Sequence, residues 1–537
     1  MTVAQLVARS LIANGIDQLY CLPGVQNDDF FNALYDIQDQ VTPIHARHEQ
    51  GAVYMALGAA LATGQPQAFS IVPGPGFLNG TAALSTAFAV NAPLMSLIGQ
   101  IPSGAIEKGF GLLHEISGQS DTLASLTKSS DMITQGATAA EQLRSAWGQL
   151  QSGRPRPVGL EVPVNVWRQE ASGDVTAEPI PAPQADPSGI DKAAELIAAA
   201  RSPMIAVGSG AQGASALVTD LAERLNAPVM AFRTGHGVVS SDHELRIDMP
   251  TGHRLWPGCD LVIGLGTRLQ AQRQGWGMDS DLKVIHIDID PVELQRISSP
   301  DAAICADLQQ ALPLLLDALG AQPDRSDWSA HVARVKAEMH AELTTTLAPQ
   351  WGWLQAIRDV LPRDGIFVDE LTQVGYVSRI LFPSYAPRTF LSSGYQGTLG
   401  WGMATAAGAA HARRDVPVVS VAGDGGALFT ISELATAVRH KIPVNYIVFN
   451  DNAFGNVRRF QIENYDNRPI ASDLTSPDFV ALAQSFGVTA EKAATPDALR
   501  SALGRAIDND GPNLIEVPMS DDLPSPWPYI MMPKLRG

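Results

Sequence analysis

Two apolar runs joined by a glycine-rich turn restrict the fold most strongly. The first run, Val418 to Ala422, is short and continuous, which is typical of a parallel strand buried on both faces. Gly423-Asp424-Gly425-Gly426 follows, and glycines let the backbone turn sharply and approach a bound group closely. A helical stretch that we expect Ser432 to cap leads to a second strand, Val444 to Phe449. Such a crossover unit is right-handed, so both strands end at the same edge of a parallel sheet.

Polar residues follow both strand ends of this unit. Asp424 comes soon after the first strand, and Asn450-Asp451-Asn452 comes directly after the second. We therefore expect the Asp424 and Asp451 side chains to lie side by side, where oxygen ligands beside backbone amides suit a hard divalent cation that carries a diphosphate. A structural Gly-Asp turn in an unrelated nucleotide-binding fold is the alternative, and this short motif alone does not decide between the two.

The same block resembles the Gly-Asp-Gly to Asn signature of thiamine diphosphate enzymes, whose two side-chain ligands and one main-chain oxygen hold Mg²⁺. Asp451 lies 27 residues beyond Asp424 (451 − 424), which matches the spacing of that signature. The resemblance implies that Asp424, Asp451 and the carbonyl of Ala453 bind Mg²⁺. Asp451 stands where Asn is commoner, which Mg²⁺ tolerates because carboxylate oxygens are good ligands. The cofactor-binding glycines implied here are Gly423, Gly425, Gly426 and Gly455.

A second motif lies in the segment from His45 to Gly64. Glu49 stands between a strand-like segment and a helix of small residues, where its carboxylate should be partly desolvated and suited to share a proton with a ligand. A surface glutamate in a first helical turn is the structural alternative. RHEQGAVYMALGAA resembles the acetolactate synthase branch, whose Glu hydrogen-bonds the cofactor's aminopyrimidine and promotes loss of the thiazolium proton. Pro73 to Gln100 matches that branch's Gly-Pro-Gly-x-x-Asn segment, so the resemblance implies that Glu49 is catalytic.

Other segments of the carboxyl-terminal part also resemble this branch. Within Leu391 to Ala410, Gly397 matches a residue whose carbonyl meets the cofactor, and Leu399 matches the apolar residue that wedges its two rings apart. Leu399 replaces Met, which conserves bulk and polarity. Gln373, after a predicted strand end, is a further candidate for cofactor binding.

The predicted substrate side departs from the branch. Leu113-His114-Glu115 occupies the place of the Phe-Gln-Glu of biosynthetic acetolactate synthases, while Phe460 falls where an aromatic residue shapes the second-substrate pocket. His114 could donate to a substrate oxygen or relay a proton, or equally be a loop histidine without a chemical role. Arg458 and Arg459 could bind a carboxylate or form a solvated pair on a helix face.

Alternating helix and strand segments predict an α/β fold of three doubly wound parallel-sheet domains. A chain of 537 residues is too long for one hydrophobic core. We expect an amino-terminal pyrimidine-binding domain at 1–168, a linker at 169–190, a middle domain at 191–320, a helical connector at 321–350 and a carboxyl-terminal diphosphate- and Mg²⁺-binding domain with a tail at 351–537.

The middle domain raises the question of a second cofactor. Gly264 to Arg268 and His286 to Pro291 resemble the landmarks of this family's middle domain, which carries FAD in some acetolactate synthases. Arg268 matches a residue that contacts FAD there. Met249 to Asp260 is short and is expected to lack a helix of the FAD-binding members, which favours a purely structural middle domain over an FAD site.

Charge and composition exclude other classes of function. A formal net charge of −18 offers no basic excess for a nucleic acid, and no run of about 18 apolar residues predicts a membrane span. Cys21, Cys259 and Cys305 fit no metal-ligand pattern and are expected to be buried free thiols of a cytoplasmic protein.

The resemblance implies a thiamine diphosphate- and Mg²⁺-dependent enzyme that decarboxylates a small 2-oxo acid and joins the product to a second carbonyl compound. Simple decarboxylation, another C–C lyase reaction and a non-catalytic cofactor-binding paralogue remain alternatives. It also implies a homodimer or a dimer of dimers, in which Glu49 of one subunit acts on cofactor held by Asp424, Asp451 and Ala453 of the other.

Overall fold

The computed structural model describes residues 1–178, 180–520 and 522–537. Pro179 of the predicted linker and Asp521 of the predicted tail lie outside the described residues. The described strands form three six-stranded sheets, and all paired neighbours within them run parallel. With helices between the strands, this confirms the predicted α/β fold of three domains.

The amino-terminal sheet consists of β1 (Gln18–Cys21), β2 (Thr42–His45), β3 (Gln67–Ile71), β4 (Leu94–Gln100), β5 (Ser129–Met132) and β6 (Val158–Pro163), in the order β2-β1-β3-β4-β6-β5. The middle sheet consists of β7 (Pro203–Val207), β8 (Val229–Ala231), β9 (Arg246–Ile247), β10 (Leu261–Leu265), β11 (Lys283–Asp288) and β12 (Ala302–Cys305), in the order β12-β11-β10-β7-β8-β9. The carboxyl-terminal sheet consists of β13 (Ile366–Val368), β14 (Phe390–Leu391), β15 (Val418–Gly423), β16 (Val444–Asn450), β17 (Thr489–Lys492) and β18 (Asn513–Pro518), in the order β14-β13-β15-β16-β18-β17.

Helices connect the strands of each sheet and join the domains. Those of the amino-terminal part are α1 (Val3–Ala13), α2 (Asp28–Tyr35), α3 (Glu49–Thr63), α4 (Pro75–Val90), α5 (Gln119–Leu126) and α6 (Ala139–Gln151). Those of the middle part and the connector are α7 (Pro187–Ala199), α8 (Ser215–Leu225), α9 (Met249–Leu255), α10 (Pro291–Gln295), α11 (Leu308–Ala318) and α12 (Ser326–Thr346). Those of the carboxyl-terminal part are α13 (Ala348–Val360), α14 (Gln373–Leu381), α15 (Trp401–Ala412), α16 (Asp424–Thr430), α17 (Leu434–Arg439), α18 (Gly455–Asn464), α19 (Phe479–Ser485) and α20 (Pro496–Ile507).

The crossover unit of the carboxyl-terminal sheet has the predicted strands but a different helix start. β15 and β16 are parallel neighbours with Gly423 opposite Phe449, so the residues that follow them meet at one edge. The expectation that Ser432 caps the helix is wrong. Gly423, in extended backbone, precedes α16, and Ser432 lies within a 3₁₀ turn between α16 and α17. The helix starts early because Asp424 stabilises its own amino-terminal end as a first-turn carboxylate.

Side-chain caps fix the start of two further helices. Thr2 caps α1, because its hydroxyl accepts the Gln5 N–H. Asp248 caps the short helix α9 by accepting the Thr251 N–H, and the expectation that this segment lacks a helix of the FAD-binding members stays a prediction. Cys21 and Cys259 are buried free thiols, while Cys305 is half-buried.

The described part of the chain contains no helix long and apolar enough to cross a membrane.

The amino- and carboxyl-terminal domains meet where α3 crosses α15. A Cβ atom added at Gly58 would lie 1.9 Å from the Thr405 carbonyl oxygen, and one added at Gly408 would lie 1.9 Å from the Met55 carbonyl oxygen. Only glycine therefore allows the two backbones to touch at these points. The pairing of Gly58 with Thr405 and of Met55 with Gly408 makes the two helices antiparallel.

We expect the Gly408→Ala substitution to lower the apparent free energy of unfolding by about 1–3 kcal/mol, because the added methyl group must push the helices apart. Denaturant titration measures this change. Gly504→Ala is the matched control, because Gly504 lies inside α20 with no heavy atom within 4 Å of its added Cβ. The control should be about 0.5–1 kcal/mol more stable than wild type, since alanine favours helix over glycine. Equal effects of both substitutions would contradict the close crossing.

Candidate active site

Glu49 is held at the amino-terminal end of α3. It is the first helical residue, and its side chain is 8% exposed. Its Oε2 atom accepts a hydrogen bond of 3.0 Å from the Asn79 side-chain amide on α4. A Cβ atom added at Gly76 would lie 3.1 Å from Glu49 Oε1, so the glycine gives the carboxylate room. The described chain therefore presents Glu49 as a buried, oriented carboxylate rather than a surface residue.

Asn79 was not foreseen as a functional residue, although the signal was in the sequence. It is the Asn of the Gly-Pro-Gly-x-x-Asn segment, which we used above only as evidence of the resemblance to the acetolactate synthase branch. The turn before α4 sets its position, because Gly74 has a φ of 60° and its N–H donates to Gln119 Oε1 at 2.8 Å. Gln119 in turn donates to the buried Glu161 carboxylate on β6 at 2.8 Å. A chain of buried hydrogen bonds thus orients the motif.

The loop that carries His114 packs directly on the same turn. A Cβ atom added at Gly74 would lie 2.2 Å from the His114 carbonyl oxygen. His114 has a φ of 68°, and its Nδ1 atom lies 3.0 Å from Gln26 Oε1. Glu115 instead shapes the loop: the N–H of Leu112, with those of Phe110 and Gly109, lowers the pKa of its carboxyl group. The structure therefore places His114, but not Glu115, beside the Gly-Pro-Gly motif.

Asp424 and Asp451 come together at the ends of β15 and β16, as predicted. Asp424 is 1% exposed, and its Oδ2 atom accepts the Ser476 hydroxyl at 2.6 Å. Among the described residues, its buried Oδ1 atom has no hydrogen-bond partner. Burial, and then the Asp424 charge, raises the pKa of the Asp451 carboxyl. Two crowded carboxylates with an unpartnered oxygen are suited to a divalent cation.

The loop after β16 folds Ala453 back toward these carboxylates. Asn452 has a φ of 53°, which Asn tolerates, and the Ala453 N–H donates to Asp451 Oδ1 at 3.3 Å. A Cβ atom at Gly455 would lie 2.4 Å from Asp451 Oδ2, so Gly455 leaves room for the carboxylate. In the described chain no cluster of three or more His, Cys, Asp and Glu side chains is arranged for a metal. The Asp424 and Asp451 carboxylates are thus the acidic side chains that meet at this edge of the sheet.

The glycines of the turn after β15 differ in what they allow. A Cβ atom at Gly425 would lie 2.6 Å from the Phe454 ring, and one at Gly426 would lie 2.0 Å from Glu370 Oε1. At Gly423 the nearest atom would be 3.6 Å away, an ordinary contact. Protein packing therefore requires glycine at Gly425 and Gly426, in the first turn of α16, but not at Gly423.

Gly397 and Leu399 lie in the segment that leads into α15, and a buried carboxylate fixes this segment. Gly397 has a φ of 59°, which favours glycine, and Leu399 is half-buried. Glu370 is fully buried and accepts the N–H groups of Gly400 and Gly402 at 2.8 and 2.9 Å. Since its carboxylate also fills the space beside Gly426, Glu370 joins this segment to the turn after β15.

Gln373 begins α14, and its side-chain oxygen is buried without a hydrogen-bond partner in the described chain.

Phe460 packs against the carboxyl-terminal tail. Its ring centroid lies 5.1 Å from that of Trp527, whose indole N–H donates to Asn456 Oδ1 at 2.5 Å. Arg459 donates to the Leu523 carbonyl at 2.6 Å, and Arg458 pairs with Asp473 at 3.4 Å. Both arginines thus have protein partners and do not form the solvated pair on a helix face that the sequence left open. The tail therefore folds over α18, the helix that follows the loop of Asp451 and Ala453.

A cavity of about 1390 Å³ lies where the three domains meet, at the carboxyl ends of the middle strands. Gly208, Gly266 and Asp288 line it. Arg268 also lines it, but its guanidinium donates to the Ala89 carbonyl at 3.1 Å and stacks on the Tyr395 ring at 4.5 Å.

Glu370 provides a test of the buried geometry by pH. Burial raises the pKa of Glu370 from the ordinary 4.5 to about 7, and the Gly400 and Gly402 N–H groups offset part of that rise. The folded protein binds the Glu370 proton more tightly than the unfolded chain does. Protonation of Glu370 therefore stabilises the fold fully below pH 4.5, and this stabilisation is lost as the pH rises through 7. Relative to Glu370→Gln, the wild type should lose about 3 kcal/mol of unfolding free energy over this window. Denaturant titrations of both proteins across pH measure it; a pH-independent difference would contradict the buried placement.

Comparison with known proteins agrees with this arrangement. Residues 1–124, 190–315 and 372–517 match, respectively, the N-terminal TPP binding domain, the central domain and the C-terminal TPP binding domain of thiamine pyrophosphate enzymes. The chain is 30% identical to a probable 2-ketoarginine decarboxylase of Pseudomonas aeruginosa over 96% of this chain and 94% of that protein. It is 32% identical to a probable acetolactate synthase large subunit of Methanocaldococcus jannaschii, over 96% and 92%. It is 30% identical to the acetolactate synthase isozyme 2 large subunit of Escherichia coli, over 99% and 97%. The chain belongs to the thiamine pyrophosphate (thiamine diphosphate) enzyme family.

Proposed function

We propose that this protein is a thiamine diphosphate- and Mg²⁺-dependent enzyme that decarboxylates a small 2-oxo acid and joins the product to a second carbonyl compound. The pairing of β15 with β16 carries the proposal, because it brings Asp424 beside Asp451 and leaves the buried Asp424 Oδ1 atom without a partner in the described chain. The relatives named as acetolactate synthase large subunits support the reaction class.

The residues present fit Mg²⁺ and the cofactor diphosphate. Asp424, Asp451 and the Ala453 carbonyl would hold the cation, since Mg²⁺ prefers oxygen ligands. Gly425 and Gly426 would offer backbone N–H groups to the diphosphate. Thiamine diphosphate, when bound, supplies a carbon nucleophile for the carbonyl of a 2-oxo acid and accepts the electron pair released with CO₂.

Further residues would shape the rest of the cofactor site. We assign the Gly397 carbonyl and the Leu399 side chain to its rings, because the Glu370 contacts fix their segment beside the turn after β15. We assign Gln373 to it because the buried side-chain oxygen needs a partner. Gly423 and Gly455 would keep the backbone clear of bound groups, at β15 and beside Asp451 respectively.

Glu49 is the proposed catalytic residue. Asn79 donates to its Oε2 atom, so Oε1 is the atom that we assign to hold and return a proton of the cofactor's pyrimidine. The Asn79 amide and the first turn of α3 orient the carboxylate before any ligand binds. A protein that only bound the cofactor would not need this oriented carboxylate, which disfavours the non-catalytic alternative.

Simple decarboxylation is the second candidate function. The relative named as a probable 2-ketoarginine decarboxylase supports it, as does Leu113-His114-Glu115 in place of Phe-Gln-Glu. We propose that His114 contacts the substrate from the amino-terminal domain. We also propose that Phe460, which packs against Trp527, lines the substrate pocket from the carboxyl-terminal domain. The Arg268 guanidinium donates to the Ala89 carbonyl and stacks on the Tyr395 ring, and FAD has no part in the proposal.

We further propose that the site forms between two copies of the chain, in a homodimer or a dimer of dimers. Glu49 lies six residues before Met55, Leu399 lies six residues before Thr405, and the two facing pairs, Met55 with Gly408 and Gly58 with Thr405, are three residues apart along the antiparallel helices. At 1.5 Å per residue Glu49 and Leu399 are thus about 22 Å apart along the helices, so one chain does not bring them to a single cofactor. Leu113 is 63% exposed and Phe429 is 52% exposed, so apolar surface that a second copy could cover lies near both halves of the proposed site.

We expect Glu49→Gln to retain the fold and to lower kcat by about 10²–10⁴-fold with saturating cofactor, because the carboxylate no longer exchanges a proton. Circular dichroism checks the fold and CO₂ release measures turnover. Glu141→Gln, at an exposed glutamate of α6 in the same domain, is the matched control and should be fully active. Wild-type turnover in Glu49→Gln would refute the assigned role.

Co-expression of differently tagged Glu49→Gln and Asp424→Ala chains tests the shared site. Each variant alone should be inactive. A mixed dimer has one site with both native residues, so the mixed preparation should recover up to about a quarter of wild-type activity. Sites contained within one chain would recover none. The wild-type chain co-expressed with itself under both tags is the reference.

A further inference from the structure

A carboxylate from the carboxyl-terminal domain holds the backbone directly before Glu49. Glu433 accepts the Arg47 N–H at 3.2 Å on Oε1 and at 3.1 Å on Oε2, and the His48 N–H at 3.1 Å on Oε1. His48 is the residue that caps α3, and its Nδ1 atom accepts the Gln50 N–H at 3.2 Å. The amino-terminal end of the helix that presents Glu49 is therefore fixed by a residue 386 positions away.

The contact occupies a slot shaped for this carboxylate. Glu433 is 1% exposed, and a Cβ atom added at Gly51 would lie 2.2 Å from its Oε1 atom. Thr436 donates its hydroxyl to Oε2 at 2.5 Å. Burial raises the pKa of the Glu433 carboxyl, and the Thr436, Arg47 and His48 donors offset part of that rise. A carboxylate held at a helix amino terminus is also stabilised by the helix dipole.

We propose that Glu433 is a positioning residue for Glu49, which fixes the backbone of α3 while Asn79 fixes the Glu49 carboxylate. The inference rests on the proposed function, in which Glu49 activates the cofactor. Two hydrogen bonds from consecutive N–H groups determine where the next residue starts the helix. A catalytic group displaced by about 1 Å loses about 100-fold in rate, so removal of this contact should impair Glu49 without touching the groups that bind the cofactor.

The competing explanation is that Glu433 only joins the two domains. That role predicts lower stability and, through it, weaker cofactor binding, with normal chemistry in the molecules that remain folded. The positioning role predicts the reverse: a folded protein with normal cofactor affinity and slow proton exchange on the bound cofactor. The exchange rate therefore separates the two roles.

The experiment uses the full chain with thiamine diphosphate and Mg²⁺ and measures deuterium exchange at the thiazolium carbon of the bound cofactor by quenched-flow NMR. Fluorescence titration gives the cofactor dissociation constant. In Glu433→Gln, which loses the charge but keeps the size, the exchange rate should fall about 100-fold with an unchanged dissociation constant. Thr436→Val is the matched control, because it removes a donor to the same carboxylate but leaves the α3 contacts. Its exchange rate should equal that of the wild type.

A wild-type exchange rate in Glu433→Gln would overturn the inference, as would an equal loss in Thr436→Val or a loss explained by weaker cofactor binding. If Glu433→Gln does not fold, Glu433→Asp, which keeps the charge but shortens the reach, is measured in its place. Failure of both to fold would also overturn the inference, because Glu433 would then be a residue that joins domains. Glu49→Gln tests the proposed function separately: a wild-type exchange rate there contradicts the function itself.

Discussion

The crossing of α3 and α15 is the contact on which both halves of the site depend. Gly58 and Gly408 let the two helix backbones touch, and this joins the amino- and carboxyl-terminal domains. Glu49 begins one helix and Leu399 lies just before the other, so the antiparallel crossing sets the two residues at opposite ends of the pair. The same contact that holds one chain together therefore separates the two halves of the proposed site, and this is the physical reason why we propose that a second copy completes each site.

Buried carboxylates that accept backbone N–H groups recur around both halves of the proposed site. Glu433 holds the residues before α3, Glu370 holds the start of α15, and Glu161 orients Gln119, which in turn holds Gly74. Burying a carboxylate is costly unless it is well hydrogen-bonded. Each of these groups accepts hydrogen bonds at or beside a segment assigned to catalysis or cofactor binding. The hydrogen bonds thus offset the cost of burial, and they order the backbone on both sides of the proposed site.

The sequence was sufficient for the features that follow from local pattern. Buried-strand composition and the handedness of crossovers placed Asp424 beside Asp451, and alternating elements predicted three parallel-sheet domains. The start of α16 was missed because Gly423 offers no capping side chain, whereas Ser432 looked like one. Glu433 could not be found in this way, because its partners belong to another domain and no local pattern links them.

We propose that the Asp424 and Asp451 pair and Glu49 serve decarboxylation of a 2-oxo acid. The most direct measurement adds thiamine diphosphate and Mg²⁺ to the purified protein, offers pyruvate and a series of larger 2-oxo acids including 2-ketoarginine, and follows CO₂ and condensed products together. We expect CO₂ release from at least one of these acids, dependent on both thiamine diphosphate and Mg²⁺, with a condensed product where a second carbonyl compound is captured. Tight cofactor binding without CO₂ release from any of them would contradict this proposal.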